Sequence, residues 1–236
     1  EYKGHDMKKN LLLLLCLFCL VNVCHAKAKD TFTVFQLNLW HGCTKVPNGD
    51  QGIIDVLDQM DADVVFLCEI RDGKQFIPHV IEELEKRGKH YYGETFDLAI
   101  GVLSKFKPDS WTKCCIVPGD EGRAMVKMVA TIEGQPVSFY SCHLDYRHYQ
   151  CYMPRGYNGT TWKKMDKPIT DEEEVLKANR QSFRDETIRA FIQEVQSDIQ
   201  QGRPIIMGGD FNEPSHLDWQ ADTKDLWDHN GAVIHW

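Results

Sequence analysis

The apolar run Ile205-Ile206-Met207 ends in Gly208-Gly209-Asp210-Phe211-Asn212, and this junction constrains the fold more tightly than any other stretch of the chain. An apolar run of this length, closed by glycine, reads as a buried strand. The glycines let the backbone turn and pass close to a neighbour or a ligand. Asp210 and Asn212 stand two residues apart, so in extended geometry their side chains face the same way. A carboxylate beside an amide suits a hard cation together with a phosphate oxygen.

Three further runs behave in the same way: Gln36 to Trp40 (QLNLW), Val64 to Glu69 (VVFLCE) and Tyr140 to Asp145 (YSCHLD). Each reads as a strand, and each delivers a polar group: Asn38, Glu69, and His143 with Asp145. More strand-like runs lie at Leu98 to Leu103, Arg123 to Ile132 and Pro136 to Cys142. Between them, Ile53, Val56, Leu57 and Met60 keep helical spacing, as do Ile77, Val80, Ile81 and Leu84. One long helix is predicted over roughly residues 170–200, with the stripe Ile188, Ile192, Val195 and Ile199 and with acids near its start. This interleaving predicts an α/β or α+β layered domain. Internal repeats and low-complexity linkers are absent from the sequence.

The ends and the composition narrow the setting. Residues 1–6 precede Met7 and read as a tag or upstream scar. Residues 7–26 read as a signal peptide: Lys8 and Lys9 are basic, Leu11 to Val23 is apolar, and Cys24-His25-Ala26 offers a cleavage point. The apolar run is short for a membrane span. The chain is therefore expected to be secreted or periplasmic, with an uncleaved anchor as the alternative. Residues 30–236 form the domain, long enough for a single core. The formal net charge of −8 makes it a poor non-specific binder of nucleic acid. Six cysteines remain beyond the signal segment, and an even number in an exported chain permits disulfides. Cys68 and Cys142 fall in core strands, however, where free thiols are common. With no CxxC pair among the six, a structural zinc site is not expected.

The order Asn38, Glu69, His143, then Asp210-x-Asn212 resembles the endonuclease/exonuclease/phosphatase superfamily. That group includes pancreatic-type deoxyribonucleases, exonuclease-III-like repair enzymes, bacterial sphingomyelinases and inositol-polyphosphate 5-phosphatases. The resemblance covers roughly residues 31–236. It implies a four-layer sandwich of two packed mixed β-sheets flanked by helices, with the active site at one end. It also implies phosphoester hydrolysis assisted by Mg2+, or by Mn2+ or Ca2+, which oxygen and amide ligands favour. Glu69 and Asn38 are the expected metal ligands, Asn38 also touching substrate. For Glu69, a strand end salt-bridged to Arg71 is the alternative. His143 is expected to donate to the phosphate or protonate the leaving group. Asp210 is expected to position or deprotonate the water, Asn212 to hold the phosphate, and Asp145 to orient a loop or a neighbouring group. Arg123 could reach substrate oxygens. The loop Tyr146 to Lys167 is basic and aromatic inside an acidic protein, so Arg155 and Lys163 are expected on a substrate wall.

The substrate is expected to be a phosphoester, whether a small molecule, a phospholipid headgroup or a nucleic acid. A monomer without a stable protein partner is expected. One departure from the superfamily pattern stands out. That pattern closes on a later Asp-His pair, whereas Trp236 follows Asn212 by only about 24 residues. Asp228-His229 comes too early to be that pair and reads as a loop near the cleft at best. The domain is therefore expected to be incomplete, with its last strands missing. Two other readings compete. One is a non-catalytic binding protein on the same scaffold. The other is glycoside hydrolysis by Glu69 and Asp210, which leaves Asn38 and Asn212 unexplained.

Overall fold

The computed structural model describes residues 31–236, and residues 33–236 form one compact unit. The predicted signal peptide, residues 7–26, lies outside the described residues. The first sheet contains β1 (Val34–Asn38), β2 (Val64–Cys68), β3 (Tyr92–Glu94) and β4 (Ile100–Ser104), in the order β1-β2-β4-β3. β1 runs parallel to β2, with Asn38 opposite Cys68, while β4 is antiparallel to both β2 and β3. Helices α1 (Gly49–Met60) and α2 (Gly73–Lys86) cover one face. Their Ile54, Leu57, Ile77, Val80 and Leu84 pack with Val65, Leu67 and Leu103 of the sheet.

The second sheet contains β5 (Pro108–Cys114), β6 (Met125–Ile132), β7 (Gln135–His143) and β8 (Ile205–Asp210), in that order. Only the β7–β8 pair is parallel, with His143 opposite Asp210. Successive residues of a strand face opposite ways. Val65 and Leu67 therefore face the helices, while Phe66, fully buried, meets the second sheet. The close approach of the sheets explains the glycines of β8. A methyl group on Gly208 would stand 2.4 Å from the Phe66 ring, and one on Gly209, at φ +151°, would strike the Cys142 carbonyl. Helix α3 (Glu172–Asn179) buries Val175 in a separate cluster with Cys151, Met153 and Trp219, while α4 (Arg184–Glu194) and α5 (Gln196–Gln200) form the outer layer of the second sheet. Phe191, Val195 and Ile188 pack there against Tyr140 and Met207. Helix, sheet, sheet, helix is the expected four-layer sandwich.

Several local expectations are corrected. The predicted long helix is three helices, broken at residues 180–183 and again at Val195. Half of the predicted stripe packs inward, Ile188 and Val195, while Ile192 and Ile199 are exposed and Thr187 and Asp198 take buried positions instead. Polar groups occupy core positions because they are satisfied there. Asp198 accepts from Tyr140 Oη at 2.6 Å and pairs with Arg203 at 2.6 Å and Lys127 at 3.0 Å. A hydrophobic stripe cannot reveal such residues. Strands β3 and β5 were not foreseen. β3 is only three residues long, and β5 is a polar sheet edge exposed along most of its length. Arg123 does not open β6; it lies in the 3₁₀ turn Glu121–Arg123 before that strand. The six cysteines among the described residues are buried and unbridged.

Candidate active site

Parallel pairing within each sheet places Asn38 beside the end of β2 and His143 beside Asp210. The packing of the two sheets then closes the group. Asn38 Nδ2 donates to Glu69 Oε1 at 3.1 Å and to Asp210 Oδ2 at 2.9 Å. One amide thus bridges a carboxylate from each sheet. Asn38 Oδ1 accepts from the Trp40 N–H at 2.9 Å. The reverse amide orientation would set an oxygen against two carboxylates, so the bonding pattern determines it. Asp210 Oδ1 accepts from the Asn212 N–H at 2.9 Å, and Asn212 Nδ2 donates to the Leu144 carbonyl at 3.0 Å. His143 Nε2 stands 3.9 Å from Asp210 Oδ2, beyond direct hydrogen-bond range.

The backbone turns sharply around these side chains. Trp40, His41, Glu69 and Asn212 all adopt positive φ, between 43° and 59°. Non-glycine residues held in this region concentrate at sites where geometry is over-determined by function. The turn at Glu69 aims its carboxylate at the His41 N–H, which donates to Oε2 at 2.6 Å. Burial raises the Glu69 pKa, but the bonds from His41 and Asn38 outweigh it and hold the carboxyl below its ordinary value. His143 is held below its ordinary value by burial and then by the Arg123 charge, against the opposing pull of Asp210 and Glu69. A neutral imidazole with a donor N–H at neutral pH follows.

Glu69, His143 and Asn212 open onto a cleft of about 710 Å³, whose lining also includes Arg123, Tyr146 and Trp162, while Asn38 and Asp210 stand behind them and are not part of the lining. Arg123 stacks over the Tyr146 ring at 5.0 Å and donates to the Leu144 carbonyl at 3.3 Å.

Other expected residues lie elsewhere. Asp145 is almost fully buried. It accepts from Arg147 Nε at 2.6 Å and from the Phe183 N–H at 3.1 Å, which ties the loop after His143 to the start of α4. It anchors this loop and does not face the cleft. Arg155 is exposed, over the Tyr152 ring at 5.7 Å, and Lys163 is exposed as well; neither lines the cleft. The loop contributes its aromatics, Tyr146 and Trp162, in place of its bases. His229 stacks on Trp219 with centroids 3.7 Å apart and does not line the cleft, nor does Asp228. The Glu69–Arg71 salt bridge does not form: Arg71 instead meets His41 Nδ1 at 3.1 Å. His41 and Arg71 line the cleft, and the sequence reading missed both as site residues. Their signal was the short spacing from Asn38 and Glu69, where a turn out of a strand must place following side chains nearby.

The donor set accommodates a hard cation. Asn38 turns its amide nitrogen to the two carboxylates and its oxygen to the Trp40 N–H, so it holds the anionic groups in place while its oxygen keeps a second lone pair. Glu69 retains lone pairs toward the cleft. Among the described residues no three His, Cys, Asp or Glu side chains gather as a metal cage. A single carboxylate completed by water and a phosphate oxygen is the arrangement in which Mg2+ is commonly held.

Comparison with known proteins agrees with this architecture. A curated relative, the uncharacterized protein F14F9.5 of Caenorhabditis elegans, is 27% identical over 230 residues, covering 95% of this chain and 66% of its own length. A humanized TDP2 of D. rerio carrying 14 mutations superposes with a TM-score of 0.50 at 17% identity, over 81% of this chain and 66% of that one. TDP2 from C. elegans superposes with a TM-score of 0.51 at 14% identity, over 78% of this chain and 48% of that one. This chain thus spans two thirds or less of the length of each. These structural likenesses establish a shared fold. Residues 35–232 match the sequence profile of the Endonuclease/Exonuclease/phosphatase family, and the chain belongs to that family.

Proposed function

We propose that this chain is an exported, divalent-cation-dependent hydrolase of phosphoester bonds that acts as a monomer. Family membership supports a phosphoester-hydrolysing fold, and members of the family generally use divalent metals. The observation that carries the reading is the Asn38 amide, shared at 3.1 Å and 2.9 Å by carboxylates from two different sheets. It aligns the Glu69 carboxylate, which lines the cleft, with the Asp210 carboxylate directly behind it. It also fills the space between the carboxylates that a sugar ring would need, which weighs against glycoside hydrolysis. Export rests on the pattern of residues 7–26.

A bound Mg2+ would supply charge neutralisation at a phosphate oxygen, with Glu69 as its protein ligand. The remaining work belongs to the chain. Asp210, fixed by Asn38 and the Asn212 N–H, takes a proton from the attacking water. The water oxygen forms the new P–O bond as the bond to the leaving oxygen breaks, and that oxygen takes its proton from solvent. Neutral His143 donates from the β7 end to a phosphate oxygen, and Arg123 supplies positive charge to the same cleft.

The test is hydrolysis of bis(p-nitrophenyl) phosphate with Mg2+ and with chelator, for the wild type and Glu69→Gln. Wild-type turnover should require the cation, and the variant should lose at least about 100-fold, the scale of removing one direct electrostatic stabiliser. Equal turnover with chelator and with Mg2+ would refute cation dependence. Binding without turnover would support the non-catalytic alternative instead.

A further inference from the structure

We propose that Arg71 and His41 form a subsite for a second anionic group, so that this cleft selects phosphoesters bearing a further phosphate over those bearing a cationic headgroup. This rests on the reading of the cleft as a phosphoester site and deepens it.

Five arginines, Arg87, Arg147, Arg184, Arg189 and Arg203, pair with carboxylates. Arg71 lines the cleft and has no carboxylate partner among the described residues, although Glu69 is two positions away. Its hydrogen bond goes to His41 Nδ1 at 3.1 Å. A guanidinium carries five N–H donors and no acceptor, so most of its donors stay available. The same fact sets the imidazole tautomer. Nδ1 must accept, which puts the His41 proton on Nε2 as a further donor. The pair is also pre-organised. A methyl group on Gly42 would stand 2.9 Å from Arg71 Cβ and Cγ, so the arginine stem lies directly against the loop that carries His41. The His41 N–H in turn holds Glu69 at 2.6 Å. A fork of donors fixed beside the carboxylate that would hold the cation has the geometry that phosphate recognition uses. A quaternary ammonium placed there would be repelled.

The test uses binding as well as turnover, so that it stands even if catalysis fails. Titration calorimetry with Mg2+ present compares propane-1,3-diol bisphosphate, propyl phosphate and phosphocholine on the wild type, Arg71→Gln, Arg71→Lys and Arg180→Gln. Arg180 is exposed and outside the cleft, so its variant controls for net charge. The wild type should bind the bisphosphate about 10-fold more tightly than the monophosphate, the scale of one charge-assisted hydrogen-bonded contact. It should bind phosphocholine most weakly. Arg71→Gln should abolish the bisphosphate preference, Arg71→Lys should keep part of it, and Arg180→Gln should keep all of it. A preference that survives in Arg71→Gln, or falls equally in Arg180→Gln, overturns the subsite. Absence of bis(p-nitrophenyl) phosphate hydrolysis with the preference intact would instead overturn the catalytic reading alone.

Discussion

Asn38→Ala tests whether the amide bridge between Glu69 and Asp210 organises the site. The substitution removes two hydrogen bonds to carboxylates, at 3.1 Å and 2.9 Å, and deprives the Trp40 N–H of its acceptor. Hydrogen bonds to charged groups are worth about 1.5–3 kcal/mol each. Glu69 and Asp210 are 25% and 32% exposed, so water entering the vacated space recovers part of that. A net loss of about 2 kcal/mol is expected. For a domain of this size it should lower Tm by about 4–8 °C. Catalysis should suffer more. Once the amide is gone, two carboxylates from separate sheets have nothing between them to oppose their repulsion. A displacement of about 1 Å at a reacting group costs about 100-fold. The assay is kcat for bis(p-nitrophenyl) phosphate at saturating Mg2+, alongside a melting curve. Turnover within about threefold of wild type, far short of the 100-fold expected for misplacement, would show that the bridge does not organise the site.

The other expectations concern single groups. Asp210→Asn keeps the outline but removes the proton acceptor, so kcat should fall by at least about 100-fold with little change in KM; normal turnover would make Asp210 structural. His143 is held below its ordinary value of about 6.5 in the folded state. As pH falls through about 6.5 the unfolded chain takes the proton first, so the stability that His143 contributes is present above that pH and is lost below it. Wild-type Tm should therefore drop more between pH 7.5 and 5.5 than that of His143→Gln; parallel slopes would contradict the assignment. Gly208→Ala places a methyl group 2.4 Å from the Phe66 ring between the sheets, and overpacking of this kind should cost about 1–3 kcal/mol. Unchanged melting would mean the sheets separate more easily than their packing implies.

The sequence by itself determined the strand ends and the chemistry they carry. Asn38, Glu69, His143, Asp210 and Asn212 were legible because each closes or directly follows an apolar strand, and a polar residue there signals a rim. The layered class was legible for the same reason. Tertiary structure alone decided what each group touches. The bridge between Glu69 and Asp210 joins residues on different sheets, and no local pattern encodes the facing of two sheets. Asp145 anchors its loop through Arg147 and Phe183, and His229 stacks on Trp219 away from the cleft; the sequence shows neither set of partners. Arg71, two positions from Glu69, turns instead to His41, because the left-handed backbone at Glu69 aims its carboxylate at the His41 N–H. The broken helix followed the same logic. Arg184, 2% exposed, pairs with Glu213 at 2.6 Å and donates to the carbonyls of Asp145, Arg147 and His148. A buried polar residue with its partners supplied from distant segments has no hydrophobic period to betray it, and only the assembled chain reveals it.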